Sequence, residues 1–233
     1  MLATKVGGKS PAIVFNDADL DNALAMNSQG FLANTGQICA ACSRTLVQEK
    51  IAPKFLEGLK EKFEGMSKIM GDPSDPKTSF GPLADQAQFD RVMSFLELGK
   101  DSGAKVLTGG IRKGDKGCYI EPTIYVDPKT DSKIYTDEIF GPVLTVRTFK
   151  TEDEAVQLAN DTTYGLAASI YTSDVTRAHR VAALLEAGTV TVNAPYGQLL
   201  NAPFGGMKQS GYGRESGKYG LMDWLQPKAV VFK

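Results

Sequence analysis

One cysteine lies in a segment whose residue types suit nucleophilic chemistry. Cys39 follows Gly36 and Gln37 within a stretch of small side chains, and a strand-like run over residues 45–47 comes soon after it. A glycine lets the backbone turn where a side chain would clash, so we expect Cys39 in a loop that a substrate can reach. The thiolate would be the attacking species. Cys39 could instead be a small buried apolar residue, as free cysteines commonly are, and this stretch alone leaves both interpretations open.

The remaining cysteines bear on redox chemistry and on metal binding. Cys39-x-x-Cys42 has the spacing of a redox pair or of half a zinc site, and Cys118 is the third cysteine. Because there is no second pair and His179 is the only histidine, we expect no metal site. Residues 1–5 are too few and too polar for a signal peptide, so we expect reduced thiols and a cytoplasmic protein. Cys42 is expected to be structural.

The composition favours a soluble globular protein and argues against two classes of partner. Hydrophobic residues make up 42% of the 233 residues and charged residues 23%, which is ordinary for a globular domain. A formal net charge of −1, with both signs interspersed, argues against a nucleic-acid partner. No apolar run approaches the roughly 20 residues that span a bilayer, so we expect no membrane partner.

Alternating strands and helices surround the cysteine. A short buried strand over residues 12–15 precedes a helix that Asp17 or Asp19 can cap, and this helix leads to Cys39. Extended segments are predicted at residues 44–48, 104–107, 119–126, 143–149, 167–171 and 188–193. Helices are predicted over residues 51–66, around residues 89–96, over residues 152–160 and from residue 174 to residue 185.

This alternation predicts an α/β fold with three layers, α/β/α, around a largely parallel sheet. Residues 194–217 are predicted to form a loop rich in Gly, Pro and Asn, and so long a loop in a compact domain is usually functional or disordered. Residues 228–232 are predicted to form a last strand with no obvious partner nearby. No repeat or linker divides the chain.

Four motifs, in order along the chain, resemble those of the aldehyde dehydrogenase superfamily. Gly-Gln-x-Cys at residues 36–39, with Ser43-Arg44 downstream, resembles the nucleophile motif of that family. The other motifs are Gly7-Gly8-Lys9-Ser10-Pro11, Glu138-Ile139-Phe140-Gly141-Pro142-Val143, and Pro203-Phe204-Gly205-Gly206-Met207-Lys208 with Ser210-Gly211-Tyr212-Gly213-Arg214-Glu215. Each motif is weak evidence alone. Four in order over nearly the whole chain identify a member of this family, and they imply its catalytic-domain fold.

The resemblance implies a reaction. In the family a cysteine thiolate attacks an aldehyde to give a thiohemiacetal, hydride passes to NAD or NADP, and a water activated by a glutamate releases the acid from the thioester. Cys39 occupies the position of the nucleophile, and its backbone amide occupies that of one oxyanion-hole donor. Cysteine suits this role because it is nucleophilic near neutral pH.

The resemblance also implies cofactor and substrate contacts. Glu138 matches the glutamate that holds the ribose on the nicotinamide side, and Phe140 matches the residue that packs beside it. Gln88 and Arg91 match the positions of further ribose contacts, with Arg91 in place of the usual lysine. Phe204 matches a position that lines the aldehyde tunnel. Gln88 and Arg91 could instead form an ordinary exposed helix face, and Phe204 could pack in the core.

Two departures from the family pattern predict weak activity. Lys5 stands before Val6-Gly7-Gly8, where the family has its glutamate base, and the loss of a general base costs about 10²–10⁴ in rate. A lysine of ordinary pKa is protonated near pH 7 and cannot take a proton from water. The family's nucleotide-binding domain lies upstream of these motifs, and no Gly-x-Gly-x-x-Gly loop occurs here. Positioning the hydride acceptor is worth roughly 7–11 kcal/mol, so we expect this chain alone to be an impaired dehydrogenase.

Three functions remain open after this comparison. They are an aldehyde dehydrogenase, a nicotinamide-independent enzyme with thioester or thiol-addition chemistry at Cys39, and a non-catalytic truncated pseudoenzyme. The substrate would be a small aldehyde or another carbonyl compound. Because the C-terminal strand of the family pairs with a neighbouring subunit, we predict a catalytic domain over residues 1–227 and an oligomerisation strand over residues 228–233. We therefore predict a homodimer, or docking onto another chain.

Overall fold

The structure, a computed structural model, describes residues 4–197 and 199–233, and for residues 4 and 5 it describes the backbone alone. The predicted consequence of Lys5 concerns a side chain that lies outside this description. The main-sheet strands are β2 (Pro11–Val14), β3 (Arg44–Gln48), β4 (Lys105–Thr108), β5 (Thr123–Val126), β6 (Val143–Phe149), β7 (Ala167–Tyr171) and β8 (Thr189–Val192). Two shorter strands, β1 (Thr4–Lys5) and β9 (Gly211–Tyr212), form an antiparallel pair.

The main sheet is largely parallel, as predicted. Its strand order is β4-β5-β6-β3-β2-β7-β8, and every neighbouring pair is parallel except β4 with β5. All the residues of β2, β5 and β7 are buried. Strands covered on both faces have nearly continuous apolar sequences, which is why the first of these segments was predicted as a buried strand.

The helices begin where short polar side chains can cap them. They are α1 (Leu20–Leu32), α2 (Ala52–Lys68), α3 (Gln86–Asp101), α4 (Lys133–Thr136), α5 (Glu152–Asn160), α6 (Val175–Leu184) and α7 (Gly217–Met222), with 3-10 turns at Ala33–Gly36 and Lys208–Ser210. Asp19 caps α1, and Asp85, Thr151 and Asp174 cap α3, α5 and α6 in the same way. Asp17, the other predicted cap, instead accepts hydrogen bonds from Thr172 and Arg177.

Helices cover both faces of the sheet, which gives three layers. Helices α1 and α2 pack on the face to which Ile124 and Leu144 point. Helices α3 and α4 pack on the opposite face, against Tyr125 and Val143. Helices α5 and α6 lie on that same opposite face, against the side chains of β2, β3 and β7 that point away from α1 and α2. The predicted α/β/α architecture is therefore confirmed.

Several boundaries differ from the predictions. Only residues 123–126 of the segment predicted as extended form a strand, and Pro122, which has no N–H to donate, lies just before it. The prediction of a continuous loop over residues 194–217 is wrong, because it contains the second 3-10 turn and β9. The short elements α4 and α7 were not predicted, since so few residues show no clear periodicity.

The C-terminal residues 228–232 belong to no sheet in the described chain. Val231 is 82% exposed and Phe232 is 92% exposed. A strand at this position would need a partner strand from another chain, so the oligomerisation strand over residues 228–233 stays a prediction. Within the described ranges, no helix has the length and apolar character needed to cross a bilayer.

Candidate active site

The motifs singled out in the sequence meet where strands β2, β3 and β6 begin. Pro11 of β2 lies beside Arg44 of β3, and Arg44 lies beside Thr145 of β6. The segments that lead into these three strands, residues 7–10, 36–43 and 138–142, are therefore neighbours at one edge of the sheet. Open α/β sheets usually bind ligands at the carboxyl ends of their strands. This site lies at the amino ends, which strand patterns alone do not reveal.

Two glycines allow these segments to approach closely. A Cβ atom at Gly8 would lie 2.6 Å from the carbonyl oxygen of Cys39. A Cβ atom at Gly36 would lie 2.4 Å from the carbonyl oxygen of Gly141, and Gly36 also has a φ of +72°. Both positions exclude a side chain, so the motif glycines bring the cysteine loop against the other two segments.

The turn before Cys39 has an unusual backbone. Asn34 and Thr35 have φ values of 50° and 59°, which are uncommon for residues other than glycine, above all for a β-branched one. The hydroxyl of Thr35 donates to the carbonyl of Gly81 at 3.1 Å, and Gln37 accepts a hydrogen bond from the amide of Ala84 at 2.9 Å. Side-chain bonds to a neighbouring loop thus hold a strained turn beside the candidate nucleophile.

Cys39 is half-buried rather than enclosed in the core. It packs with Tyr196 and Phe204 against a small apolar cluster of Ala40, Leu166 and Ala167. The rings of Tyr196 and Phe204 lie 5.0 Å apart. Burial raises the pKa of the Tyr196 phenol, and a negative charge on Cys39 raises it further. Two aromatic rings therefore share the apolar cluster against which the candidate nucleophile packs.

The sequence predicted a site role for Phe204 but not for Tyr196. Phe204 was predicted as a substrate contact, and it lies in the same cluster as Cys39. Tyr196 was missed. The only signal was an aromatic residue in a segment predicted to be a functional loop, and nothing local indicated that it faces Cys39.

Cys42 occupies a different environment from Cys39. Its thiol donates a hydrogen bond to the hydroxyl of Ser169 at 3.4 Å. Burial raises the pKa of the Cys42 thiol to about 11, so it is protonated at neutral pH. A protonated and hydrogen-bonded thiol is a poor nucleophile, in keeping with the structural role expected for Cys42.

Glu138 contacts the same Gly7-Gly8 backbone that lies against Cys39. Its carboxylate accepts a hydrogen bond from the amide of Gly8 at 3.0 Å. A Cβ atom at Gly7 would lie 2.1 Å from the second carboxylate oxygen. Burial raises the pKa of Glu138, while the Gly8 amide and the charges of Lys9 and Arg91 oppose that rise. The carboxylate is thus held beside the segment that contacts Cys39.

Helix α3 holds the loop that carries Glu138 and Phe140. Gln88 donates to the carbonyl of Phe140 at 2.7 Å, and Arg91 donates to the carbonyl of Glu138 at 2.5 Å. Phe140 is 38% exposed and has a φ of 60°. Gln88 and Arg91 therefore make tertiary contacts, so they are not merely an exposed helix face. Their direct contact with a cofactor stays a prediction, as does that of Phe140.

The described residues also bear on which groups the site could hold. Among them, no cluster of three or more His, Cys, Asp or Glu residues is placed to bind a metal ion. A half-buried carboxylate such as that of Glu138 suits a ligand that offers hydroxyl groups, since an ionised carboxylate accepts several hydrogen bonds. A ribose has such groups, so the residues present fit the nicotinamide end of a dinucleotide.

The site combines a half-buried cysteine just after a strained turn, two aromatic rings and a carboxylate on a neighbouring loop. These features define a class of α/β protein with a thiol centre at the amino ends of its strands. The model of the aldehyde dehydrogenase family matches residues 2–230. This chain belongs to that family.

Curated relatives of this chain include proteins named as aldehyde dehydrogenases. The chain is 49% identical to an aldehyde dehydrogenase of Aspergillus niger over 229 residues, which cover 98% of this chain and 46% of the relative. It is 43% identical to a betaine aldehyde dehydrogenase of Cereibacter sphaeroides over 226 residues, covering 97% of this chain and 46% of the relative. The chain thus spans about half the length of the curated relatives it matches.

Solved structures agree with this assignment. A point mutant of the betaine aldehyde dehydrogenase of Staphylococcus aureus, solved in complex with NAD+ and with a BME-modified cysteine, matches with a TM-score of 0.93 and 40% identity. The match covers 97% of this chain and 46% of that one. A mutant aldehyde dehydrogenase of Bacillus cereus matches with a TM-score of 0.91 and 40% identity, covering 94% of this chain and 44% of that one.

Proposed function

We propose that this chain carries the catalytic centre of an enzyme that oxidises an aldehyde to a carboxylate, with Cys39 as its nucleophile. The observation that carries the proposal is that the Gly8 backbone lies against the backbone of Cys39 and also donates a hydrogen bond to the Glu138 carboxylate. This arrangement would place a covalently bound substrate and a bound ribose close to each other.

The residues of this chain would act in the following way. The Cys39 thiolate attacks the aldehyde carbonyl carbon and forms a thiohemiacetal, whose developing charge the Cys39 backbone amide is expected to stabilise. Phe204 and Tyr196 would provide an apolar wall for the substrate. When NAD or NADP is bound, it supplies the hydride acceptor for the oxidation. Glu138, Phe140, Gln88 and Arg91 would hold or support its nicotinamide ribose.

We also propose that the chain alone is an impaired dehydrogenase. The chain covers 46% of the relatives it matches, and Lys5 stands at the position of the family's general base. A second candidate function follows from Lys5, because a cysteine that forms a thioester without a water-activating base can still pass an acyl group to another thiol. As further proposals, the chain is cytoplasmic and forms a homodimer or docks onto another chain.

One experiment separates the candidate functions. The purified chain is incubated with an activated ester and with a panel of aldehydes that includes betaine aldehyde, with and without NAD and NADP. Absorbance of the reduced cofactor and the mass of the peptide containing Cys39 are followed, with Cys39→Ala as the negative control and Cys118→Ala as the matched control.

The outcomes differ in kind. Reduced cofactor that disappears in Cys39→Ala supports the dehydrogenase. An acyl adduct on Cys39 without any cofactor reduction supports the nicotinamide-independent enzyme. An unmodified Cys39 with no cofactor reduction contradicts both and leaves a pseudoenzyme.

A further inference from the structure

Lys9 is a buried cation to which the proposed mechanism gives no role. Lys9 belongs to the Gly7-Gly8-Lys9-Ser10-Pro11 motif, and its side chain is 0% exposed. A buried ammonium group is costly unless its donors are satisfied. Here the Lys9 Nζ donates to the carbonyl oxygen of Ile134 at 2.9 Å and to that of Asp137 at 2.6 Å. We asked what this contact achieves.

The two carbonyls that Lys9 contacts belong to the segment just before Glu138. Ile134 lies in α4, which ends at Thr136, and Asp137 is the residue directly before Glu138. The Lys9 ammonium therefore joins the end of α4 to the first residue of the loop. A side chain that fixes the peptide before Glu138 also fixes the direction in which the Glu138 side chain leaves the backbone.

The residue before Lys9 holds the other end of Glu138. The Gly8 amide donates to the Glu138 carboxylate at 3.0 Å. Gly8 and Lys9 thus contact both the carboxylate and the backbone before it, while Gln88 and Arg91 hold the following carbonyls from α3. Of these contacts, the one made by Lys9 is the deepest in the protein.

We propose that Lys9 is a positioning residue, whose ammonium fixes the backbone before Glu138 and so places the Glu138 carboxylate for a ribose. The inference rests on the proposed function only in naming the ribose. The hydrogen bonds of Lys9 and Gly8 alone support the positioning of Glu138 by Lys9.

The electrostatic surroundings make this contact sensitive to pH. The charged groups that face the Lys9 ammonium are Arg44 from β3 and Asp137 and Glu138 from the loop after α4. Burial lowers the pKa of Lys9 to about 7, and the charge of Arg44 lowers it too, while the two carboxylates oppose the change. Above that pH the group has lost its charge and one of its N–H donors, so it holds the two carbonyls less firmly.

The Gly8 amide offers a direct report on the position of Glu138. Its hydrogen exchange is measured by NMR on the full chain in the wild type, in Lys9→Met and in Lys113→Met. Lys113 is the matched control, because its ammonium also contacts several oxygens, those of Ser67 and one of Glu121, and none of them belongs to the loop of Glu138. We expect Lys9→Met to speed Gly8 exchange at least about tenfold and Lys113→Met to leave it unchanged. Equal exchange in all three proteins would overturn the proposal.

A titration of the wild type keeps the test decisive even if Lys9→Met does not fold. We expect the Lys9 Cε resonance and the Gly8 amide resonance to titrate together with a midpoint near pH 7. A Gly8 amide that does not respond when Lys9 titrates contradicts the proposal.

A ligand titration separates the inference from the proposed function. Nicotinamide mononucleotide, which carries the relevant ribose, is titrated into the wild type and both variants. Weaker binding in Lys9→Met than in Lys113→Met supports the role for the ribose, and equal binding contradicts it. Absence of binding to the wild type contradicts the proposed cofactor contact, while Gly8 exchange still decides whether Lys9 positions Glu138.

Discussion

At the scale of single residues, absent side chains shape the site as much as present ones. Gly8 brings the first motif against the carbonyl of Cys39, and Gly36 brings the cysteine turn against Gly141. The turn itself needs Asn34 and Thr35 in a conformation that residues other than glycine rarely adopt. Conformational strain of this kind persists only where neighbouring contacts enforce it.

Gly8→Ala should therefore disturb the cysteine loop. The new Cβ atom would lie 2.6 Å from the Cys39 carbonyl oxygen, so the loop or the first motif must move. We expect the free energy of unfolding to fall by roughly 1–3 kcal/mol and the rate of Cys39 alkylation to change. Urea unfolding measures the free energy of unfolding, and reaction with iodoacetamide measures the alkylation rate.

Gly65→Ala is the matched control for that substitution. Gly65 lies inside α2, and a Cβ atom there would meet no atom within 4 Å. Alanine stabilises a helix interior by about 0.5–1 kcal/mol relative to glycine, so this variant should gain stability and keep the alkylation rate. A Gly8→Ala variant that behaved like Gly65→Ala would show that the close contact is unimportant.

At the scale of elements, one buried arginine joins a strand to a helix. Arg44 is 0% exposed at the start of β3, and its Nε donates to the carbonyl of Lys9 at 2.9 Å. Its two terminal nitrogens donate to the carbonyls of Leu158 and Ala159, at the end of α5, at 3.1 and 2.8 Å. The last carbonyls of a helix have no partner within the helix, so Arg44 completes α5 while it holds the residues that precede β2.

Arg44→Met should lower the stability of the fold strongly. It would leave three buried carbonyls without a donor, and each such loss costs about 1–3 kcal/mol. We expect a total loss of roughly 3 kcal/mol or more in the free energy of unfolding, measured by urea unfolding. Arg180→Met, which removes an ion pair with Glu152 at a half-exposed side chain, should cost less than about 1 kcal/mol. Similar losses in both variants would contradict this account of Arg44.

At the scale of the whole molecule, the buried ionisable groups set the pH dependence of stability. The pKa of Lys9 falls from 10.5 to about 7 on folding, so between these values the unfolded chain binds more protons than the folded one. Stability must then rise with pH above about 7. The pKa of Cys42 rises from 9.0 to about 11, so this group lowers stability as pH rises above about 9. The pKa of Tyr125 rises from 10.0 to about 12, so this group lowers stability only above about pH 10.

We therefore expect the free energy of unfolding to rise between about pH 7 and pH 9 and to level off between pH 9 and pH 10, where the contributions of Lys9 and Cys42 oppose each other. Urea unfolding at fixed ionic strength between pH 6 and pH 10 measures this curve. In Lys9→Met the rise between pH 7 and pH 9 should be absent, and stability should fall above about pH 9 because the contribution of Cys42 is then unopposed. A variant with the same rise as the wild type would assign the pH dependence to other groups.

Self-association is the second property of the whole molecule that can be tested. Val231 and Phe232 are almost fully exposed and lie in no sheet of the described chain. We expect sedimentation to show a dimer and Val231→Lys to shift it towards monomer, because a lysine on an edge strand opposes pairing. Val175→Lys, at an apolar residue 69% exposed on α6, is the matched control. A wild-type monomer would contradict the predicted homodimer.

Much of the fold was predictable because local sequence carries it. The bounds of β3, β6, β7 and α5 agree with the predicted ranges, since an apolar period of two or 3.6 residues and a capping side chain are both local signals. Cys39 and Glu138 were predicted as site residues because their motifs resemble those of the family. The roles of Tyr196, Lys9 and Arg44 were not predicted, because the partners of these residues are distant along the chain.

The sequence by itself determined the family, the layered α/β architecture and the identity of the candidate nucleophile. Each depends on residue types at short separations, where periodicity and motif spacing are direct consequences of backbone geometry. Only the tertiary structure decided that the site lies at the amino ends of the strands, with the Gly8 backbone in contact with both Cys39 and Glu138. Contacts between residues about 130 positions apart depend on strand order and register, which no local pattern encodes.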